Sequence, residues 1–120
     1  MILVDTSVWV DHLRRRNPAL AERLERGEVA CHPFVIGEIS LGSLRHRDEV
    51  LGLLSELPVA PVVPHEDAIA LVRRRGLAGQ GIGWVDVHLV ASALAGRLGL
   101  WTLDRRLAGT ARALHLSVDQ

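Results

Sequence analysis

Four acidic residues have the chemical type and the positions along the chain that a divalent-metal site needs: Asp5, Glu38, Asp86 and Asp104. Asp5 and Asp104 each follow a short apolar segment typical of a buried strand, and Asp86 opens a long apolar run. Because the carboxyl ends of adjacent parallel strands meet in one crevice, we expect these side chains to lie close together. Crowded carboxylates repel one another unless protons or cations intervene. Hard divalent cations prefer oxygen ligands, so the pattern predicts a magnesium-type site.

Helix capping is the competing interpretation of the same residues. Aspartate is a preferred N-cap residue and is stabilised at the positive end of a helix, and the three aspartates each stand at or just inside a predicted helix start. Glu38 has apolar neighbours on both sides and is expected near the core or on a partly exposed helix face shared with Arg45. Two features favour a common site. The strand-then-aspartate pattern occurs twice, and a glycine-rich segment at residues 76–83 leads to Asp86.

Alternating strands and helices must hold these acids in position. Short, continuously apolar runs predict strands of a parallel sheet, and longer runs with helical spacing predict helices. Asn17 and Pro18 start one helix and Gly27 stops it, whereas the prolines of residues 58–63 indicate an edge or a strand end. This order predicts an α/β fold with a parallel sheet covered on both faces. The predicted strands are 2–4, 28–31, 58–63, 100–103 and 116–118, and the predicted helices are 6–16, 18–26, 33–44, 48–55, 65–75, 85–97 and 105–114.

The composition limits the class of protein and its partners. A chain of 120 residues is expected to form one domain, residues 1–120. Its formal net charge is zero at pH 7, so polyanion binding must come from local arginine clusters. The single cysteine, Cys31, excludes an internal disulfide, and the six histidines lack paired zinc-ligand spacing. Neither a signal sequence nor a membrane-spanning stretch is readable, and we therefore expect a soluble, cytoplasmic protein.

Three segments around the acids form a pattern together with the mid-chain glutamate: VDTSVW at 4–9, DVHLVASA at 86–93 and GLWTLD at 99–104. This pattern resembles the PIN-domain nucleases and, within them, the VapC toxins of bacterial and archaeal toxin–antitoxin systems. The resemblance covers essentially the whole chain in order. It implies a PIN-like α/β/α sandwich with a central, mainly parallel sheet, and an endoribonuclease that depends on Mg²⁺ or Mn²⁺. It also implies a homodimer that a cognate antitoxin silences. One departure is Leu107, where the family often has an aromatic residue in a packing role.

Within such a site the four acids are expected to have different roles. Mg²⁺ commonly keeps several waters and takes one or two direct carboxylates. Asp5 and Asp86 are therefore predicted as direct ligands, and Glu38 and Asp104 as acids that act through water or at a second, weaker metal position. Because the acids must be ionised to bind a metal, activity is expected to fall at acid pH.

Two further kinds of residue are candidates for the site: hydroxyl-bearing residues that lie near the acids in the sequence, and clusters of arginines. The resemblance favours Thr6 or Ser7 as a group that orients a carboxylate or contacts phosphate, and Thr102 lies close to Asp104. Helix capping and strand packing are the ordinary alternatives for these hydroxyls. Trp84 is expected to pack in the core or in a dimer contact rather than stack on RNA bases. The candidate RNA-binding residues form three arginine clusters: Arg14, Arg15 and Arg16; Arg73, Arg74 and Arg75; Arg105 and Arg106.

Two other classes of protein, phosphatases and receiver domains, also place an acid at the end of the first strand. A haloacid-dehalogenase-like phosphatase would need a second aspartate where this chain has Ser7, and a receiver domain would need one in residues 58–63. Two PIN-like alternatives stay open. A housekeeping RNA-processing nuclease would lack an antitoxin, and a catalytically silent RNA- or protein-binding module would lack the acids.

Overall fold

A computed structural model describes residues 1–118, and within that range the chain forms three strands and seven helices. Their alternation along the sequence confirms the predicted α/β class. None of these helices is long and apolar enough to cross a membrane. In chain order the elements are β1 Ile2–Val4, α1 Thr6–Arg15, α2 Pro18–Glu25, β2 Val29–Ala30, α3 Pro33–Ser40, α4 Arg47–Ser55, α5 His65–Arg75, α6 Trp84–Gly96, β3 Gly99–Trp101 and α7 Arg105–Ala113.

The three strands form one parallel sheet in the order β2-β1-β3. β1 pairs with β3 over its whole length, from Ile2 opposite Gly99 to Val4 opposite Trp101. All three residues of β1 are buried, as a strand with neighbours on both sides requires. The chain leaves β1 for β2 on one side and later returns to β3 on the other. The carboxyl end of β1 therefore lies at a topological switch point, where α/β proteins form their crevices.

The sheet is narrower than the sequence predicts. Residues 58–63 and 116–118 were expected to be strands, but each contributes a single parallel bridge, Cys31 to Val59 and Leu100 to Ser117. Around Val59 the Cys31 N–H donates to the Pro58 carbonyl at 2.8 Å, and the Ala60 N–H donates to the Cys31 carbonyl at 2.8 Å. The ladder cannot continue there because the next donor, to the Ala60 carbonyl, would be Pro33, which has no N–H and begins α3.

β1 and α6 supply the centre of the core. Leu3 and Val4 have no exposed surface, and α6 is buried without interruption from Val87 to Ala93. The prediction of a central buried helix over 85–97 is thus correct within one residue at each end. Cys31 is buried, as expected of a structural thiol, and burial raises its pKa.

Helix α3 ends earlier than predicted, at Ser40 instead of Leu44. The Arg47 guanidinium donates hydrogen bonds to the carbonyl oxygens of Ser40 and Gly42. The Ser40 carbonyl is one that the end of a helix leaves without an intrahelical donor, and Gly42 lies just beyond the C-cap Leu41. A side chain from the start of α4 therefore closes α3, which the spacing of apolar residues does not reveal.

Candidate metal centre

Asp5 lies at the carboxyl end of β1, at the switch point of the sheet. Its N–H continues the β1–β3 ladder by donating to the Trp101 carbonyl at 2.9 Å. Asp5 occupies the N-cap position of α1, but its side chain makes no capping hydrogen bond. The residue is nevertheless buried, with only 6% of its surface exposed. Capping therefore does not explain Asp5, and a buried carboxylate needs other partners.

Two hydroxyl groups supply those partners. The Ser7 and Thr102 hydroxyls each donate to Asp5 Oδ2 at 2.7 Å, and their oxygens lie 3.3 Å apart. Ser7 Oγ also accepts from the Leu103 N–H, and Thr102 Oγ1 accepts from the Asp104 N–H. These bonds connect the β1–α1 turn to the β3–α7 turn and fix the orientation of the Asp5 carboxylate. Hydrogen bonds of this kind are how supporting residues orient metal ligands.

Glu38 lies on an exposed face of α3, so of the two positions expected for it the helix face is confirmed and the position near the core is not. The apolar residues beside it in sequence point elsewhere because a helix turns by about 100° per residue. No ion pair joins it to Arg45 in the part of the chain that the structure describes. Its partner is Thr6, which donates to Oε1 at 2.7 Å. Thr6 directly follows Asp5 in the sequence, so this hydrogen bond ties Glu38 to the start of α1, next to Asp5.

Asp86 stands at the third position of α6 and closes the helix start by accepting the Gly83 N–H at Oδ2, 2.9 Å away. Burial raises the pKa of this carboxyl, and the Gly83 hydrogen bond opposes the rise. The negative charges of Asp5, Asp104 and Glu38 raise it further. The structure therefore brings all four predicted acids into electrostatic contact.

Asp104 is the N-cap of α7. Its Oδ1 accepts from the N–H groups of both Arg106 and Leu107 at 3.0 Å, and the side chain is exposed. For this residue the capping interpretation is correct. It does not exclude a second role, because capping uses only one carboxylate oxygen.

The four acids share one arrangement within residues 1–118. Each has one oxygen that accepts a protein hydrogen bond and a second oxygen without a partner. No arginine or histidine nitrogen of the described chain forms a salt bridge with any of them. The site therefore combines concentrated negative charge with free oxygen donors, which suits a hard divalent cation.

The spacing of the acids limits how such a cation would be held. Among residues 1–118 no three Asp, Glu, His or Cys side chains are close enough to hold one ion together. A magnesium ion does not need such a group, since it usually keeps several waters and takes one or two carboxylates. The donor set therefore fits a cation bound partly through water.

The arginine clusters are exposed but do not form one surface. Arg75, Arg105 and Arg106 line a groove of about 490 Å³ that has no acidic lining residue. At Gly81, a Cβ would lie 2.5 Å from the Arg106 side chain, so the glycine-rich loop runs against this arginine. Arg15 instead pairs with Asp11 at 2.6 Å. The remaining predicted arginines, Arg14, Arg16, Arg73 and Arg74, lie outside that groove.

The sequence interpretation overlooked two contributors next to the acids. The Gly83 backbone N–H holds Asp86, whereas the sequence indicates only that the glycine-rich segment leads to this residue. Phe34 was not considered as a site residue, yet it is 37% exposed and contacts His88 two residues beyond Asp86. The sequence did contain a signal for Phe34. This residue lies one helical turn before Glu38, in a chain with only 3% aromatic residues.

Comparisons with known proteins identify the family. The PIN domain model matches residues 2–113. Two relatives from different strains of Mycobacterium tuberculosis, both named Ribonuclease VapC32, are 53% identical over 108 residues, which covers 89% of this chain and 87% of theirs. A toxin-antitoxin complex from Klebsiella pneumoniae has a similar fold, with a TM-score of 0.67, 19% identity and coverage of 91% of this chain and 92% of that one. The chain belongs to the PIN-domain family and, within it, to the VapC proteins.

Proposed function

We propose that the protein is a Mg²⁺- or Mn²⁺-dependent endoribonuclease toxin of a toxin–antitoxin module. In this proposal it forms a homodimer, hydrolyses RNA phosphodiester bonds and is inhibited by a cognate antitoxin. The relatives named as ribonucleases and the fold shared with a toxin-antitoxin complex support it. The observation that carries it is the cluster of four carboxylates, each with a free oxygen and none with a protein cation.

Phosphodiester hydrolysis needs a positioned phosphate, an attacking water and compensation for developing negative charge. A divalent cation bound at this site would hold the phosphate and supply that charge. The protein's own contribution is a fixed set of oxygens. Ser7 and Thr102 hold Asp5, and the Gly83 N–H holds Asp86. Groups that are already fixed need no reorganisation when the substrate binds, which favours the reaction.

The groove lined by Arg75, Arg105 and Arg106 is the best candidate for contacts to the RNA backbone. Arg105 and Arg106 directly follow Asp104, so the groove begins beside the acids. Arginine suits this role because its guanidinium binds phosphate oxygens in a forked geometry. We propose that the strand leaves the acid site along this groove. Arg14, Arg15, Arg16, Arg73 and Arg74 are assigned no RNA contact.

A second groove, of about 800 Å³, suits the antitoxin. It lies between α1, α3 and α4, and Glu38 is at its lining together with apolar residues. Leu13 and Leu53 in this groove are 37% and 60% exposed. Charged residues such as Arg14, Arg45 and Glu49 also line the groove, so it suits an amphipathic segment that carries charges beside its apolar face. A segment bound there would end beside Glu38 and block access to the acids.

The decisive test is removal of the cation and of one carboxylate. Chelation with EDTA is expected to abolish RNA cleavage by the purified protein, and added Mg²⁺ or Mn²⁺ to restore it. Asp5→Asn keeps the size of the side chain and an oxygen that can accept from Ser7 and Thr102. It removes the charge, so cleavage is expected to fall at least about 100-fold, equivalent to several kcal/mol of transition-state stabilisation.

Asp67→Asn is the matched control, because Asp67 is exposed on α5 and contacts none of the four acids. It should cleave RNA at the wild-type rate. Cleavage that survives EDTA, or an Asp5→Asn protein as active as the control, would refute the metal site. Slowed growth on expression, relieved by a partner encoded by an adjacent upstream gene, would distinguish a toxin from a housekeeping nuclease.

A further inference from the structure

The chain has four aromatic residues of the Phe and Trp types, and they divide sharply by exposure. There is one Phe, three Trp and no Tyr. Trp9 and Trp101 are buried in the core, at 3% and 4% exposure. Phe34 and Trp84 are 37% and 41% exposed. Of the two positions expected for Trp84, the core is therefore wrong and a dimer contact stays a prediction, and the exposure of both rings needs an explanation.

The two exposed rings belong to one connected set of aromatic side chains. The Phe34 ring lies 4.9 Å from the His88 ring, and the Trp84 ring lies 4.8 Å from His88 on its other side. His65 extends the set with a centroid 5.2 Å from Trp84. His88 is only 4% exposed, so it acts as a fixed spacer between two rings that reach solvent. We call Phe34, Trp84, His88 and His65 the aromatic array.

The aromatic array reaches the acid site at Glu38. Phe34 precedes Glu38 by four residues on α3, which puts both side chains on the same helix face. Trp84 is the first residue of α6 and Asp86 the third, so these two side chains point to different sides of that helix. Trp84 is connected to the Glu38 side through the ring contacts of His88 and Phe34. The arginine groove, in contrast, begins at the residues that follow Asp104.

This neighbourhood favours RNA over a protein as the partner of the array. A protein surface that covered the rings would also remove water from the Glu38 carboxylate next to Phe34, which is costly without a counter-charge. Unpaired nucleobases stack on aromatic side chains, and duplex RNA hides the faces of its bases. An RNA strand can thus contact the rings through its bases, while its phosphates lie at the acid site and along the arginines.

We propose that Phe34 and Trp84 are a stacking platform for unpaired nucleobases of the RNA strand that passes the acid site. The platform makes the protein select single-stranded or looped RNA. This inference rests on the proposed ribonuclease function and adds the class of substrate to it. It also assigns specificity to two residues outside the carboxylate set.

The test compares apolar and aromatic replacements on RNA with and without bases. Binding is measured by fluorescence anisotropy in an Asp86→Asn background with Mg²⁺. The probes are a short single-stranded oligoadenylate and a ribose-phosphate oligomer of the same length that lacks bases. Trp84→Leu, which stays apolar but cannot stack, is expected to weaken oligoadenylate binding by about 5- to 150-fold. Trp84→Phe should retain most of the affinity, and neither change should affect the baseless oligomer.

Phe34→Leu provides a second variant in case Trp84→Leu does not fold, and the same loss is expected. Leu41→Ala is the control, because Leu41 is 88% exposed and belongs to neither the array nor the arginine groove. Unchanged oligoadenylate binding in both leucine variants would refute the platform. An equal loss on the baseless oligomer would also refute it.

Sedimentation equilibrium separates the platform from a protein interface. Trp84→Leu should keep the wild-type oligomeric state, and conversion to a smaller species would overturn the inference. The proposed function can fail separately. A wild-type protein that binds oligoadenylate through Trp84 but never cleaves RNA would refute the ribonuclease and support the platform. A protein that cleaves RNA while both leucine variants bind like wild type would do the reverse.

Discussion

Asp104 shows how a residue can have a structural role and still contribute to a site. Its Oδ1 caps α7, and its other carboxylate oxygen makes no hydrogen bond in the described chain. An oxygen that caps the helix does not prevent the other oxygen from contributing to the acid site. The contribution of Asp104 to stability and its contribution to activity can therefore be measured separately.

Two substitutions at Asp104 test this separation. Asparagine caps a helix about as well as aspartate, so Asp104→Asn should change the free energy of unfolding by no more than a few tenths of a kcal/mol. It removes the charge near the cation and should lower RNA cleavage about tenfold or more. Asp104→Ala loses the cap as well and should cost about 1 kcal/mol of stability. Urea unfolding and cleavage rates measure the two effects, and wild-type cleavage by Asp104→Asn would limit this residue to capping.

At the residue scale, the sequence predicts the acids better than it predicts their partners. The identities and the electrostatic proximity of the four acids followed from strand ends and helix starts. The convergence of Ser7 and Thr102 on one oxygen of Asp5 did not, because 95 residues separate them and only the β1–β3 pairing brings them together. For Glu38 the sequence left a position near the core and an exposed helix face open, because apolar neighbours in sequence say little about burial on a helix.

Helix α3 depends on an uncharged histidine at its start. His32 is the N-cap, and its Nδ1 accepts the Phe34 N–H at 3.0 Å. The side chain is completely buried, and its Nε2 has no partner within residues 1–118. Burial, with a smaller effect from His88, lowers the pKa of His32 from 6.5 to about 4. Protonation would put a charge in the core and remove the acceptor that caps the helix.

The pKa of His32 predicts a loss of stability in weak acid. Between pH 6.5 and 4 the unfolded chain binds a proton at His32 and the folded chain does not, so stability falls as pH falls. For this group the change from pH 7 to 5 is about 2 kcal/mol. His32→Asn keeps a capping acceptor without a titrating ring and should lose that much less over the same range. His46→Asn, at an exposed histidine, should follow wild type, and urea unfolding at the two pH values measures all three.

At the element scale, the sequence predicts central elements more accurately than edge elements. β1 and α6 were predicted closely because continuous apolar runs reflect burial on all sides. The segments at 58–63 and 116–118 are equally apolar, but they pair at only one bridge each. The apolar content of a segment does not show how many backbone N–H and C=O groups of the neighbouring strand are free to pair with it.

The molecule as a whole has no net charge, and this limits how it binds RNA. All fourteen basic residues are arginines, balanced by fourteen acids. There is thus no long-range attraction to a polyanion, and contacts to RNA phosphates must be short-range and few. The surfaces of the proposed homodimer and the proposed path of the RNA could not be predicted from residue patterns, because both depend on surfaces that distant segments form together.

The salt dependence of RNA binding tests this limit. With Arg75, Arg105 and Arg106 as the phosphate contacts, the logarithm of the association constant should fall with the logarithm of salt at a slope of about −2 per protomer for single-stranded RNA. Replacing Arg105 and Arg106 with Gln should reduce that slope by about 1.4. Arg26→Gln is the control, since Arg26 pairs with Glu22 and lines neither groove. An unchanged slope in the double variant would show that other residues make the phosphate contacts.

The hydrogen bonds that join Asp5, Ser7 and Thr102 to the β3–α7 turn also determine when activity can arise during synthesis of the chain. Asp5 and Ser7 leave the ribosome first, and Thr102 follows Ser7 by 95 residues. Until β3 has emerged and paired with β1, Asp5 lacks one of its two hydroxyl partners and the acid cluster lacks Asp104. With the proposed function, we therefore expect a nascent chain to cleave RNA only after β3 and Asp104 have left the ribosome.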